Sequence, residues 1–375
     1  MAWTGPMVPR APRRPKTPRP AISCPTRKRW SLSAPTTRSR KTSAVGCSSL
    51  RACCRTPQPE TSGPHGLTRH SGHATPDSVA GPGRRAAGQD KNDMTTASPS
   101  GGAFRVPDRD IPAVLSTAHA VAEAARRETL RHFRSSALST DNKAAPGDLR
   151  AFDPVTVADR AAEAAMRAVL AERRPQDGIM GEESADLPGT SGLTWVLDPI
   201  DGTRGYISGT PTWGVLIALT DAEGPVYGII DQPYIGERFE GGLGRARLTG
   251  PRGARPLAVA PAPSLAEATL FTTFPEVGTA HDRAGFEAVR DRVRLTRYGM
   301  DCYAYALIAA GHVDLVIEAG LHPYDICAPI AVIEAAGGVV TNWDGGPAHG
   351  GGRVLAASSA ALHAEALALL VGTGS

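Results

Sequence analysis

The segment LTWVLDPIDGT (193–203) constrains this chain more than any other: an apolar run of strand length carries two carboxylates, Asp198 and Asp201, into a turn marked by Pro199 and Gly202. Such a run reads as a buried strand. A charge at its end is costly unless something pairs with it. GIMGEE (178–183) repeats the device, an apolar stretch ending on Glu182 and Glu183. The fold must therefore bring several apolar strands to one place and leave acids at their ends.

The surrounding pattern fits a layered molecule. IPAVLSTAHAVAEAARRETLRHF (111–133) and TVADRAAEAAMRAVLAERR (156–174) carry apolar residues at helical spacing. TWGVLIALT, PVYGIIDQPY and ERFEGGL alternate or run apolar with Gly and Pro between them, which predicts an antiparallel meander. After GPRGARP a second set begins: strand ATLFTTF, a helix near 283–293, strand RLTRY, helix CYAYALIAAGHV, strand DLVIEAG, helix ICAPIAVIEAAGG, strands GVVTNW and GRVLAAS, and helix AALHAEALALLV. Strict βαβ alternation is absent, so the class is α+β or layered α/β. We expect an N-terminal α+β subdomain over 94–241 and a C-terminal α/β subdomain over 242–375.

Charge divides the chain at the same place as pattern. The formal net charge of +4 averages residues 1–93, with 17 Lys+Arg against 4 Asp+Glu, and the remainder, with 24 against 33. The folded part is acidic, so the basic total does not make nucleic acid an expected partner. Residues 1–93, rich in Arg, Pro, Ser and Thr, lack apolar periodicity and read as disordered. A basic nucleic-acid arm, an organellar transit peptide and a natural start at Met94 all account for that composition. The ordinary polar stretch MTTASPSGG favours the last. Only Cys302 and Cys327 lie beyond the basic segment, which suits a reducing compartment rather than a disulfide framework. No apolar run approaches the roughly 18 residues of a membrane span, and no secretory signal is expected. A cytoplasmic protein is the expectation.

Acids crowd at four strand or helix ends: Asp159, Glu182 with Glu183, Asp198 with Asp201, and Asp325 in HPYDICAP. Oxygen ligands suit a hard divalent cation such as Mg²⁺. The Ile200 carbonyl could add a ligand. Thr203 opens a helical turn whose N–H groups, with Gly202, could receive phosphate oxygens. Each fragment also has a plainer account: a solvated Glu pair, Asp325 as a helix N-cap, Asp159 on an exposed helix face, DPIDGT as an ordinary turn. The combination weighs against these.

GEES, WVLDPIDGTRGYISG and PYDICAPIAVIEAAGG resemble, in that order, the signature segments of the inositol-monophosphatase-like superfamily, from about Ile111 to the end. The resemblance implies an αβαβα sandwich, commonly a homodimer, and hydrolysis of a small phosphate monoester with two or three Mg²⁺ ions. It implies metal ligands at Glu182, Asp198, the Ile200 carbonyl, Asp201 and Asp325, with Asp198 bridging two ions. Thr203 and Asp159 would activate the attacking water, with Glu182 beside them, and Asp325 would also face the substrate. Cys302, Cys327, His312 and His322 are left as structural or substrate-facing residues.

GMDCYAYALIAAGHVDLVIEAGLHPYDICAP and GIIDQPYIGERF resemble the histidinol-phosphatase subgroup. Asp301 and Glu318 would then recognise the ammonium of histidinol phosphate; the plainer account makes Asp301 the cap of the next helix. An inositol or other sugar monophosphatase stays open. So does a nucleic-acid- or polymerase-binding scaffold using the basic segment as its arm.

Overall fold

The computed structural model describes residues 106–136, 138–143, 154–260 and 264–372. The expectations for residues 1–93 lie outside them. A 3₁₀ turn precedes helix α1 (Ile111–His132), and a short antiparallel pair, β1 (Thr140–Asn142) and β2 (Pro154–Thr156), leads into α2 (Val157–Arg173). Strands β3 (Gly178–Gly181) and β4 (Thr194–Asp201) follow, then α3 (Thr203–Ser208). The meander is β5 (Gly214–Asp221), β6 (Gly224–Gln232), β7 (Glu237–Gly242), β8 (Arg245–Gly250) and β9 (Gly253–Pro256). Strands β3 to β9 form one sheet in chain order, parallel only between β3 and β4.

The second set comprises β10 (Thr269–Thr272), α4 (Ala280–Arg290), β11 (Leu295–Tyr298), α5 (Cys302–Ala309), β12 (Leu315–Leu321), α6 (Pro323–Ala335), β13 (Val339–Asn342), β14 (Gly352–Ala357) and α7 (Ala360–Gly372). Its five strands run in the order β11-β10-β12-β14-β13, parallel around β10 and antiparallel around β14.

Strand alternation builds the layers. On β5, Val215, Ile217 and Leu219 face α1 and α2, while Leu216 and Ala218 join the core shared with α5 and α6. On β12, Val316 faces that same central core, whereas Leu315 and Ile317 turn to α4 and α7. The result is the expected αβαβα sandwich. Helix α6 lies between the sheets, pressed onto Gly228 of β6 and Gly241 of β7, which sit directly opposite each other in register. A Cβ on either glycine would come within 2.5 Å of an α6 carbonyl oxygen. Glycine inside a strand here marks close backbone approach.

The sequence misreads three details. The first sheet runs on through the β8–β9 hairpin, so the 241/242 boundary falls inside β7, ahead of two further strands of the same sheet. The hairpin escapes notice because β9 is exposed throughout and β8 buries only Leu248. Helix α4 begins near Ala280, ahead of 283, because Thr279 and Asp282 form a capping box. Helix α6 begins at Pro323, which puts Asp325 in its first turn instead of at its cap.

Candidate active site

Of the expected site residues, all but Asp159 line one cleft of about 610 Å³. Glu182 enters from the turn after β3, Asp198 and Asp201 from the end of β4, Asp301 from the start of α5, Glu318 from β12 and Asp325 from α6. A register irregularity between Asp198 and Asp201 bends the end of β4. Gly202 then takes φ +84°, a left-handed conformation that glycine adopts freely, and starts α3.

One carboxylate oxygen from each of Asp198, Asp201 and Asp325 lies within 4.8 Å of the others. Burial first, and then mutual repulsion, pushes the Asp198 and Asp201 carboxyls well above the usual range. Burial also pushes Asp325 up to about 7, opposed by its bond from the His322 N–H at 2.6 Å. Three hard oxygen donors held together against their own repulsion fit a divalent cation. Glu182 lines the same cleft without joining that close triad. Lys143 bridges it to Glu183 at 2.9 and 2.6 Å, so the pair is not simply solvated.

Asp159 is fully buried, which removes the exposed-face reading, and is not among the cleft-lining residues. Its Oδ2 accepts from the Thr156 N–H and hydroxyl, while its Oδ1 stands 3.5 Å from the Thr203 hydroxyl. Thr203 also reaches the Ile200 carbonyl at 3.1 Å. One hydroxyl proton cannot serve both acceptors. Burial pushes Asp159 up to about 6.

Asp301 occupies the N-cap position of α5 but makes no side-chain cap bond. Asp201 does that work instead, accepting the Cys302 N–H at 2.5 Å. The Asp301 side chain accepts from Thr212 at 2.8 Å and fills space left by Gly202 and Gly205, where a Cβ would meet it within 3 Å. Its φ of +47° is strained for a non-glycine residue. Glu318 accepts from the Thr273 N–H and hydroxyl at 3.0 and 2.6 Å and from the Tyr305 hydroxyl at 3.3 Å. Burial pushes it up to about 7.

Sequence reading missed Lys143 and Thr212, isolated polar residues without a local signature. It also missed the rim pair in which the Arg204 guanidinium stacks 5.1 Å above the Phe274 ring.

The model of the inositol monophosphatase family matches residues 110–373, a span that includes every candidate residue above. The chain belongs to the inositol monophosphatase family. It is a phosphoric monoester hydrolase of that family. Among curated relatives, the chloroplastic bifunctional phosphatase IMPL2 of Arabidopsis thaliana is 37% identical over 263 residues, covering 69% of this chain and 72% of that protein. The histidinol-phosphatase of Mycobacterium tuberculosis is 37% identical over 257 residues, covering 67% and 96%. A solved inositol monophosphatase from Zymomonas mobilis superposes with a TM-score of 0.59 at 37% identity, over 69% of this chain and 97% of that one. No helix among the described residues is long and apolar enough to cross a membrane.

The crowded acids also set a pH dependence. Asp159, Glu183, Glu318 and Asp325 carry folded-state values of about 6 to 7. Unfolded, such groups titrate near 4. Between those limits the folded chain holds more protons, so its stability falls as pH rises from about 4 to about 7. Three groups with lowered values oppose this: His363, through burial, and Glu240 and Asp282, where hydrogen bonds outweigh burial, the two acids chiefly at the acid end of the range. In excess chelator, the melting temperature is expected to be lower at pH 7.5 than at pH 5, and added Mg²⁺ should restore most of the difference. A higher value at pH 7.5 in chelator would contradict the argument.

Proposed function

We infer that this phosphatase is a Mg²⁺-dependent histidinol-phosphatase, acting as a homodimer in the cytoplasm. Glu182, Asp198, the Ile200 carbonyl, Asp201 and Asp325 would hold the cation, which when bound neutralises phosphate charge and activates water. Thr203, which lines the cleft, would orient that water and pass its proton through the threonine hydroxyl to Oδ1 of the buried Asp159 behind it. A value of about 6 suits a base working near neutrality. The new P–O bond forms as the ester P–O bond breaks, the departing alkoxide takes up a proton from solvent water, and Asp159 returns the one it accepted to solvent. No covalent phosphoenzyme is required.

The observation that carries the substrate assignment is Asp301. A carboxylate is held in the cleft on strained backbone, in space cleared by two glycines, and is not used as a helix cap. Such a group beside a phosphate site favours a cationic substrate and disfavours a neutral polyol phosphate. Asp301 supports the assignment more than Glu318 does, since Glu318 already accepts three protein donors. The curated histidinol-phosphatase relatives point the same way. The homodimer and cytoplasmic location rest on the family resemblance and on two buried free cysteines among the described residues.

The test is a substrate panel with Mg²⁺: histidinol phosphate, inositol phosphate, fructose bisphosphate and adenosine bisphosphate. Histidinol phosphate is expected to give the highest kcat/KM. A higher value for inositol phosphate would make the protein an inositol monophosphatase instead.

A further inference from the structure

Glu163 sits on α2, one helical turn beyond Asp159, and is completely buried although it does not line the cleft. Its Oε1 accepts from Arg167 Nε at 2.7 Å, and its Oε2 accepts from the backbone N–H of Glu183 at 2.7 Å. Arg167 donates onward to the carbonyls of Ser184 and Ala185 at 3.0 and 3.1 Å. One ion pair, buried on the glutamate side and partly exposed on the arginine side, thus holds backbone groups of three consecutive residues just after Glu182. It also grips the residue just before: a Cβ on Gly181 would lie 2.7 Å from Glu163 Oε1 and 2.8 Å from Arg167 Nη2.

Burying an ion pair is a poor source of net stability, because desolvation offsets most of the attraction. The arrangement does fix geometry, since the same rigid helix fixes Asp159 and the turn that carries Glu182. We propose that Glu163, with Arg167, is a positioning residue that sets how Glu182 is presented to a divalent cation. The proposal rests on reading Glu182 as a cation ligand. Glu163 touches neither substrate nor cation and acts through the Glu183 peptide.

The test is titration calorimetry of Mn²⁺ into the full chain, for the parent, Glu163→Ala, Glu163→Gln, Arg167→Met, Glu182→Gln and the Glu163→Ala/Glu182→Gln double variant. Loss of a group that orients a metal ligand typically costs about 10- to 100-fold in affinity. Glu163→Ala should weaken Mn²⁺ binding by that factor, while kcat at saturating cation returns to near the parent value. Glu163→Gln, whose amide oxygen still accepts the Glu183 N–H, should fall between. In the Glu182→Gln background, Glu163→Ala should add less than about twofold, because groups acting through one another are not additive. A merely structural clamp would lower the melting temperature and leave this coupling at zero. A folded Glu163→Ala protein that binds Mn²⁺ within about twofold of the parent, or equal losses in both backgrounds, overturns the proposal. If Glu163→Ala does not fold, Arg167→Met, alone and paired with Glu182→Gln, carries the same expectation and is overturned by the same results. Unchanged binding in Glu182→Gln overturns the ligand reading itself, and this proposal with it.

Discussion

Replacing Asp198 with asparagine should remove cation-dependent turnover and, at the same time, make the chelated protein more heat-stable. The two effects have one origin. Asp198 is 2% exposed, and burial together with the charges of Glu182, Asp201 and Asp325 disfavours its ionised form. Its Oδ1 accepts the Ile200 N–H at 2.9 Å, a bond that an asparagine oxygen can keep. The substitution therefore preserves the turn and deletes only the charge. Without a cation, that deletion relieves repulsion, and each kcal/mol gained raises the melting temperature by about 2–4 °C in a domain of this size. Turnover should fall at least about 10²- to 10³-fold, the usual cost of losing one electrostatic contact to the transition state. Thermal melts in chelator and kinetics at saturating Mg²⁺ read the two effects separately. Near-normal turnover would end the assignment of Asp198 as a ligand.

Asp301→Asn should separate the substrates. Asparagine tolerates positive φ better than alanine does and can still accept from Thr212, so the neutral isostere is the cleaner replacement. Breaking one partner of a desolvated charge pair costs about 2–5 kcal/mol. That corresponds to a loss of roughly 30-fold or more in kcat/KM for histidinol phosphate. Inositol phosphate has no ammonium to leave unpaired, so its hydrolysis should fall far less or rise. Equal losses on both substrates would reduce Asp301 to a packing residue and remove the physical basis of the substrate proposal.

Sequence made the ends of β3 and β4 legible because two signals coincide there, an apolar run and an acidic turn with Pro199 and Gly202. Asp325 was legible as an acid opening an apolar helix, though its place in the first turn depended on where Pro323 starts that helix. The β8–β9 hairpin was not legible, since an exposed Arg- and Gly-rich ribbon has no apolar alternation to betray it. Lys143 and Thr212 matter only through partners distant in the chain. Glu163 illustrates the limit best. On the sequence it is one more glutamate on an amphipathic helix, and only the fold shows it buried against the turn that follows β3.

The two facing glycines beneath α6 bear on how this protein can change over generations. Most helices ride on side chains, so each altered methyl group in the layer below tilts or lifts them. Along Gly228 and Gly241 the helix that carries Asp325 rests on main chain instead. Peptide atoms are the same whatever residues surround them, so at these two points the seat of the helix does not depend on the size of any side chain. The cost is concentrated at two sites, where even alanine would push the helix off its seat. A lineage of such enzymes is therefore nearly forbidden to vary these two points, whatever else changes around them.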